Sequence, residues 1–354
     1  MSNTISAKRH SANPLITPGD VAPTREDLEV ACVMNAGALK RGDTIYLMLR
    51  VDERPVPEEG VVSTAVMVDG QLEIRRFAKD TPGLNASDSR FFVLPDGRML
   101  ITVLSHLRLA RSTDGVNFEI DPSPAIFPGE PWEAYAAQDA RMTELEGTVY
   151  INYSAVSDQG VATALASTRD FETYTRHGLI FLPDNRNVCL FPRKINGLYH
   201  AMNRPMHNMA LANHSIWLSR SPDLRYWGDH VRLMTTEPGS WDSFRIGGGA
   251  PPIETADGWL IIYHGASADD RYCLSAALLD LDDPTRVLAR LKHAILEPVA
   301  EYEKGGFFGN VVFTDGAVVN GDTLSIYYGA SDEVTCRADL DLPELLAALT
   351  AGGA

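Results

Sequence analysis

The sequence is short of cations, of paired cysteines, of long apolar runs and of helix signals. Lys and Arg number 31 against 47 Asp and Glu, a formal charge of -16, which repels nucleic acid and anionic membrane surfaces. Nucleic acid is thereby excluded as a partner. No stretch approaches the roughly eighteen apolar residues of a membrane span, and the N-terminal MSNTISAKRHSANPLITPGD has no apolar h-region of a secretory signal. No membrane partner is expected, and the expected location is cytoplasmic. The four cysteines, Cys32, Cys189, Cys273 and Cys336, form no CxxC pair and have no His at metal-ligand spacing, so they read as buried thiols rather than disulfide or zinc ligands. The GGG run at 247–249 lacks the spacing of a nucleotide loop, and DLDDP at 280–284 lacks the EF-hand spacing and reads as a solvated turn. No metal and no cofactor are expected.

What is present is a repeat. The 354 residues, 45% of them apolar, can bury a large core, and a single domain over 1–354 is expected, with 1–12 poorly ordered. Strand-like runs preceded by a Gly turn recur at 42–50 (GDTIYLMLR), 96–103 (DGRMLITV), 146–154 (EGTVYINYS), 196–205 (NGLYHAMNRP), 257–265 (DGWLIIYHG) and 321–329 (GDTLSIYYG). Gly supplies the turn, and the β-branched and aromatic residues that follow favour a pleated strand. Phrases at 107–119, 163–174 and 216–228 end a strand in Ser/Thr-x-Asp and an aromatic, as for an Asx-type turn into an outer strand. A recurrence of about 35 to 55 residues, each unit a small antiparallel sheet, is the signature of a β-propeller. Only DLPELLAALTA at 341–351 reads as a helix, with Asp341 as its N-cap.

In such a fold the leading ends of the inner strands point into a central funnel, so the polar residues there are the site candidates. They are Asn35, Asp88 with Arg90, Asp139 with Arg141, Arg186 with Asn187, Arg245 and Asn310, with Arg50, Arg204, His264 and Asp332 at the opposite strand ends. Any one of them reads as a buried ion pair or a solvated charge. Their coincidence argues for a site.

The phrases GALKRGDTIYLMLRV, DNRNVCLFPRKINGLYHAMNRP, SRSPDLRYWGDH, RIGGGAPPIETADGWLIIYHGA, SAALLDLDDPTRVLAR, YEKGGFFGNVVF and LSIYYGASD resemble those of glycoside hydrolase family 130, the β-mannoside phosphorylases and related β-mannosidases. The resemblance runs from about Asn13 to Ala338. It implies an all-β, five-bladed propeller with a short C-terminal helix. It also implies inverting phosphorolysis of a β-mannoside by inorganic phosphate, giving α-mannose 1-phosphate. Phosphate is then a co-substrate, and a β-manno-oligosaccharide the other partner.

The family's catalytic Glu-Asp-Pro-Arg phrase is matched by Gln138-Asp139-Ala140-Arg141, which makes Asp139 the implied general acid, its proton passing through a sugar hydroxyl. Phosphate-binding phrases are matched by Arg186 with Asn187, by Arg204, by Arg245 and by His264. Asn35, Arg50, Asp88, Gln138, Arg141 and Asp332 are the implied sugar contacts. Three arginines suit phosphate, because the guanidinium fork bonds it bidentately. An inverting hydrolase would instead need a second carboxylate to activate water. The phrases SHLRLA, AVSDQG and DNRNV resemble members acting on β-1,2-linked mannose. A β-mannosidase, separable by its indifference to phosphate, and a non-catalytic glycan-binding propeller remain the rival readings. A homo-oligomer is left open.

Overall fold

The short Gly turns become tight hairpins. Arg41 pairs with Thr44 and Asn320 with Thr323 across two-residue turns in which Gly42 and Gly321 take φ of +61° and +59°, a region that suits glycine and matches the strand twist. The computed structural model describes residues 5–206 and 213–351. It is all-β, with the one long helix at Leu342–Ala351, where the sequence placed it.

The strands form five antiparallel meanders in chain order. The first comprises Leu28–Arg41, Thr44–Pro55 and Leu104–Ser112, with Glu119–Ile120 at its edge. The second runs Ala136–Leu145, Thr148–Ser157, Gly160–Thr168 and Thr175–Phe181, joined to the first by a parallel bridge from Ala136 to Ser105. Asn185–Leu190, Tyr199–Pro205, Ile216–Ser221 and Gly228–Met234 make the third. The fourth contains Arg245–Gly248, Gly258–Ala266, Tyr272–Leu279 and Val287–Arg290, with Ile253–Thr255 beside it. Val312–Asn320, Thr323–Ala330 and Val334–Asp341 form the fifth, whose outer strand is Lys8–Arg9. Two hairpins, Val61–Val68 with Gln71–Ala78 and Phe91–Val93 with Met99–Ile101, interrupt the first meander.

The Ser/Thr-x-Asp phrases do what their chemistry suggests. Asp114 accepts from the backbone of Val116 and Asn117, Asp170 from Glu172 and Thr173, and Asp223 from Arg225 and Tyr226. Asp280 of the DLDDP run likewise accepts from Asp282 and Asp283, so that run is a turn. The cysteines are buried and unpaired. No helix among the described residues is long and apolar enough to cross a membrane.

The apolar core is divided among the faces between successive meanders. Leu107 and Met48 pack with Ile151 and Met142 between the first and second. Leu165 and Phe181 meet Leu190 between the second and third. Met202 and Leu218 meet Trp259 and Tyr263 between the third and fourth, and Leu274 and Leu278 meet Ile326 and Tyr328 between the fourth and fifth. The fifth then packs on the first through Val318, Tyr327, Leu47 and Leu49.

Residues 5–12 correct their part of the expectation of disorder over 1–12, of which 1–4 lie outside the described residues. Ile5 and Ala7 are each 5% exposed and sit in the core of the last two meanders. Between them and the bulk, Arg9 donates to the buried Glu303 from Nε and NH2 at 2.8 Å. Two apolar residues spaced by two share one face of a strand, and that face is covered here.

Where the first strands converge, backbone meets backbone. A Cβ added to Gly316 would overlap the Ala38 nitrogen, and one on Gly37 the Ala140 carbonyl. Gly316→Ala is expected to destabilise the protein by at least about 2 kcal/mol in a urea titration, because rigid backbone must move. Gly228→Ala, at a site with open space around it, is expected to stay within about 0.5–1 kcal/mol. Equal midpoints for the two variants would contradict this close approach.

Candidate active site

Bulges aim the functional side chains. In four of the five first strands the register slips, between Met34 and Gly37, Gln138 and Arg141, Arg186 and Cys189, and Thr314 and Gly316. The polar residues left over are Asn35, Asp139 and Asn187, at φ of 47°, 52° and 53°, and Asp315. Asn and Asp tolerate this left-handed backbone better than other side chains, and a bulge turns its side chain away from the strand's own alternation. The second strands add residues from their later halves beside them: Arg50 pairs with Met34, Arg204 with Arg186 and His264 with Gly247.

These residues enclose a pocket of about 270 Å³. Of the sequence-predicted residues, Asn35, Arg50, Gln138, Asp139 and Asp332 line it, together with Arg186, Asn187, Arg204, Arg245 and His264. Two do not. Asp88 stands behind Arg90, gripping its Nε and NH2 at 3.0 and 2.8 Å, and Arg90 is the one that lines the pocket. Arg141 is 1% exposed and serves the framework. It donates to the carbonyls of Asp139, Gly248 and Gly249 at 2.9–3.1 Å and pairs with Asp315.

The remaining lining residues, Tyr272, Phe308, Val311 and Phe313, carried no functional signal in the sequence, since aromatic and β-branched residues in strand phrases read as core. Tyr272 opens its strand, and its hydroxyl accepts from Arg245 at 2.9 Å. A polar-tipped aromatic at a strand's leading end was the available clue. Among the described residues no group of three or more His, Cys, Asp or Glu could hold a metal ion.

The charges fall into two zones. In one, Asp139 Oδ1 accepts from Arg50 NH1 and Asn35 Nδ2, both at 3.1 Å, while the other edge of Arg50 grips Asp52 at 2.8 Å twice. Burial pushes the Asp139 carboxyl up, but Arg50, Arg141 and the Asn35 amide outweigh it and hold the group below the usual carboxylate range. Asp332 has no such grip. Burial pushes it up to about 6 against the pull of Arg50, with Asp139 and Asp52 adding to the rise.

In the other zone the cations lack counterions. Arg204 is 5% exposed and Arg186 partly buried, its Nε shut off from water, and no carboxylate of the described residues forms an ion pair with either. The segments outside the described residues contain no Asp or Glu. Burial lowers Arg204 to about 9, with Arg186, Arg245 and Arg141 adding to the fall, and burial also lowers Arg186. Arg204 NH1 donates to Nε2 of His264 at 3.0 Å. Burial, then Arg204, Arg141 and Arg245, press that imidazole well below its ordinary range, so it is neutral. Buried cations without a counterion are costly, and a bound anion relieves the cost. The arrangement can therefore hold a dianion on one side of a sugar-sized space and a carboxyl group on the other.

Known proteins resemble this chain over most of its length. The family model described as beta-1,4-mannooligosaccharide phosphorylase, for glycoside hydrolase family 130, matches residues 100–351. A beta-1,2-mannobiose phosphorylase of Listeria innocua is 45% identical over 344 residues, spanning 96% of this chain and 97% of its own. A 1,2-beta-oligomannan phosphorylase of Thermoanaerobacter is 37% identical over 68% of this chain and 80% of its own. The solved structure of the Listeria innocua enzyme in complex with beta-1,2-mannobiose superposes with a TM-score of 0.93 at 44% identity, covering 98% of this chain and 99% of that one.

The raised Asp332 has a measurable consequence. A carboxyl whose folded pKa lies above its unfolded value costs nothing at low pH and destabilises as pH rises through the interval between the two. Asp332→Asn is therefore expected to stabilise the empty protein at pH 7–8 by about 1–2 kcal/mol, water at the pocket mouth screening part of the full effect. The gain should shrink to nothing by about pH 4. Thermal unfolding from pH 4 to 8 checks it, and a pH-independent difference between variant and wild type would contradict it.

Proposed function

The chain belongs to glycoside hydrolase family 130, and on that footing we propose that it cleaves a β-mannoside with inorganic phosphate, inverting C1 to release α-mannose 1-phosphate. The observation that carries this reading is the pair Arg186 and Arg204, side by side across two strands, Arg204 buried and Arg186 partly so, with no carboxylate of their own. Phosphate supplies the missing charge, and two guanidinium forks suit its oxygens. Arg245, tied to Asp270 at 3.0 Å and to Tyr272, closes the rim of this anion site. Neutral His264 fixes Arg204 and adds no competing charge.

On the opposite side Asn35, Arg50, Gln138 and Asp332 surround the mannosyl unit, and Asp139 acts as general acid through a sugar hydroxyl. The electron pair of the breaking C1–O bond leaves with the departing sugar, which takes the acid's proton, while a phosphate oxygen bonds C1 from the arginine side. A water molecule entering from that side would find no base, because Asp332 sits in the electrostatic company of Arg50, Asp139 and Asp52. That favours phosphorolysis over hydrolysis, which requires a second carboxylate to activate water. A β-1,2 linkage is favoured by the relative named beta-1,2-mannobiose phosphorylase.

The same reading extends to architecture. The five meanders are the blades of a five-bladed β-propeller forming a single catalytic domain over 1–354. Its support is that each meander shares an apolar cluster with the next and the fifth with the first. A cytoplasmic location is supported by four free thiols, which suit a reducing compartment.

Assay of β-1,2-mannobiose with and without phosphate tests the reaction. Mannose 1-phosphate is expected only with phosphate, and equal release of free mannose in phosphate-free buffer would sink the proposal. Asp139→Asn should lower kcat by about 10²–10⁴-fold. Arg186→Ala or Arg204→Ala should raise KM for phosphate at least about tenfold, the loss of one charged hydrogen-bonding group, with little change in KM for the sugar. The Lys variants should be milder, since they keep charge and lose only the fork.

A further inference from the structure

The pocket's charges mostly come in pairs, with Arg50 shared between Asp52 and Asp139. Arg50 has Asp52, Arg90 has Asp88 and Arg245 has Asp270, at 2.8, 2.8 and 3.0 Å, while behind the wall Arg141 has Asp315. His264 is neutral. What remains is Arg186 and Arg204 on one side, without carboxylates, and Asp139 and Asp332 on the other. The only further carboxylate felt by Arg186 is Asp184, which is exposed, accepts the Val161 N–H at 2.8 Å and lies outside the pocket. Two unpaired positive charges therefore balance two negative ones when the pocket is empty.

A phosphate dianion seated on Arg186 and Arg204 destroys that balance. It takes up both free positive charges and leaves Asp139 and Asp332 facing each other in a largely buried space. Two carboxylates that share a site cannot both stay ionised once their compensating charge is gone. Arg50 cannot compensate for both, because one edge is committed to Asp52.

We propose that phosphate binding is coupled to uptake of one proton by the Asp139–Asp332 pair, so that the nucleophile charges the pair from which the general acid draws its proton. The inference rests on the phosphorolysis reading and resolves a tension within it: in the empty pocket Asp139 is held ionised by its neighbours, yet an acid must carry a proton. The proton taken up passes through the sugar hydroxyl to the leaving oxygen as the glycosidic C1–O bond breaks. The new C1–O bond to phosphate forms with release of the proton of hydrogen phosphate, and the cycle balances.

Calorimetric titration of inorganic phosphate into the full chain, in two buffers of different ionisation enthalpy at pH 7, counts protons bound per anion. The same titration of the Asp139→Asn/Asp332→Asn double variant removes the pair and leaves the anion's own ionisation common to both. The wild type is expected to take up about half to one proton more than the double variant. Its phosphate affinity should also fall up to about tenfold more steeply per pH unit as pH rises, by linkage. The single variants, each nearly isosteric, are expected to lose the extra uptake in whole or part and stand in if the double variant does not fold. Phosphate binding with equal proton counts in wild type and variants would overturn the coupling and leave phosphorolysis standing. Failure of the wild type to bind phosphate at all would remove both.

Discussion

The Arg141 guanidinium is the contact on which the rest of the molecule depends. It lies where the first strands converge and donates to the carbonyls of Asp139, Gly248 and Gly249 while pairing with Asp315. Three meanders are thereby tied by one side chain, and the ties are made to backbone at the bulge that carries Asp139 and at the glycine run beside Arg245. Removing one partner of a buried ion pair costs about 3–5 kcal/mol because the other charge is stranded. Arg141 thus acts on the reacting groups indirectly, through the position of the strands that bear them.

The pocket is built at a thermodynamic disadvantage, and the framework offsets it. Asn35, Asp139 and Asn187 sit in left-handed backbone, and the buried Arg204 and partly buried Arg186 have no counterions. Each feature is unfavourable by itself. They persist because the strands around them are fixed by five apolar interfaces. Strain and uncompensated charge collect where a ligand can relieve them, so the empty pocket is organised for an anion before one arrives.

Much of this was legible in the sequence for local reasons. A Gly turn followed by alternating β-branched and aromatic residues specifies a hairpin without help from the rest of the chain, and Asp114, Asp170 and Asp223 specify their turns through their own backbone neighbours. Asn35, Asp139 and Asn187 were found through the phrases around them. What was lost required three dimensions. Arg141 and Arg186 look alike in a strand phrase, and only burial against Gly248 and Gly249 separates a structural cation from one facing ligand. Asp88 and Arg90 are two residues apart, and which one faces the pocket depends on how the inserted hairpins fold back. Phe308 and Phe313 read as core because nothing local distinguishes a pocket wall from a packed interior. Ile5 and Ala7 fell in a stretch expected to be poorly ordered, since the partners that cover them are distant in the sequence.

That last pairing has a consequence for how the protein is made. Lys8 and Arg9 lie opposite Asp339 and Ala338, so an edge strand leaves the ribosome hundreds of residues before the sheet it completes. Closing a loop of that length carries a large entropic cost and slows the step that requires it. The first four meanders can form in order as they emerge. The fifth forms only once residues 312–341 have emerged, and until then the Ile5 and Ala7 segment and the Leu274 and Leu296 surface it covers are exposed to aggregation and to chaperones.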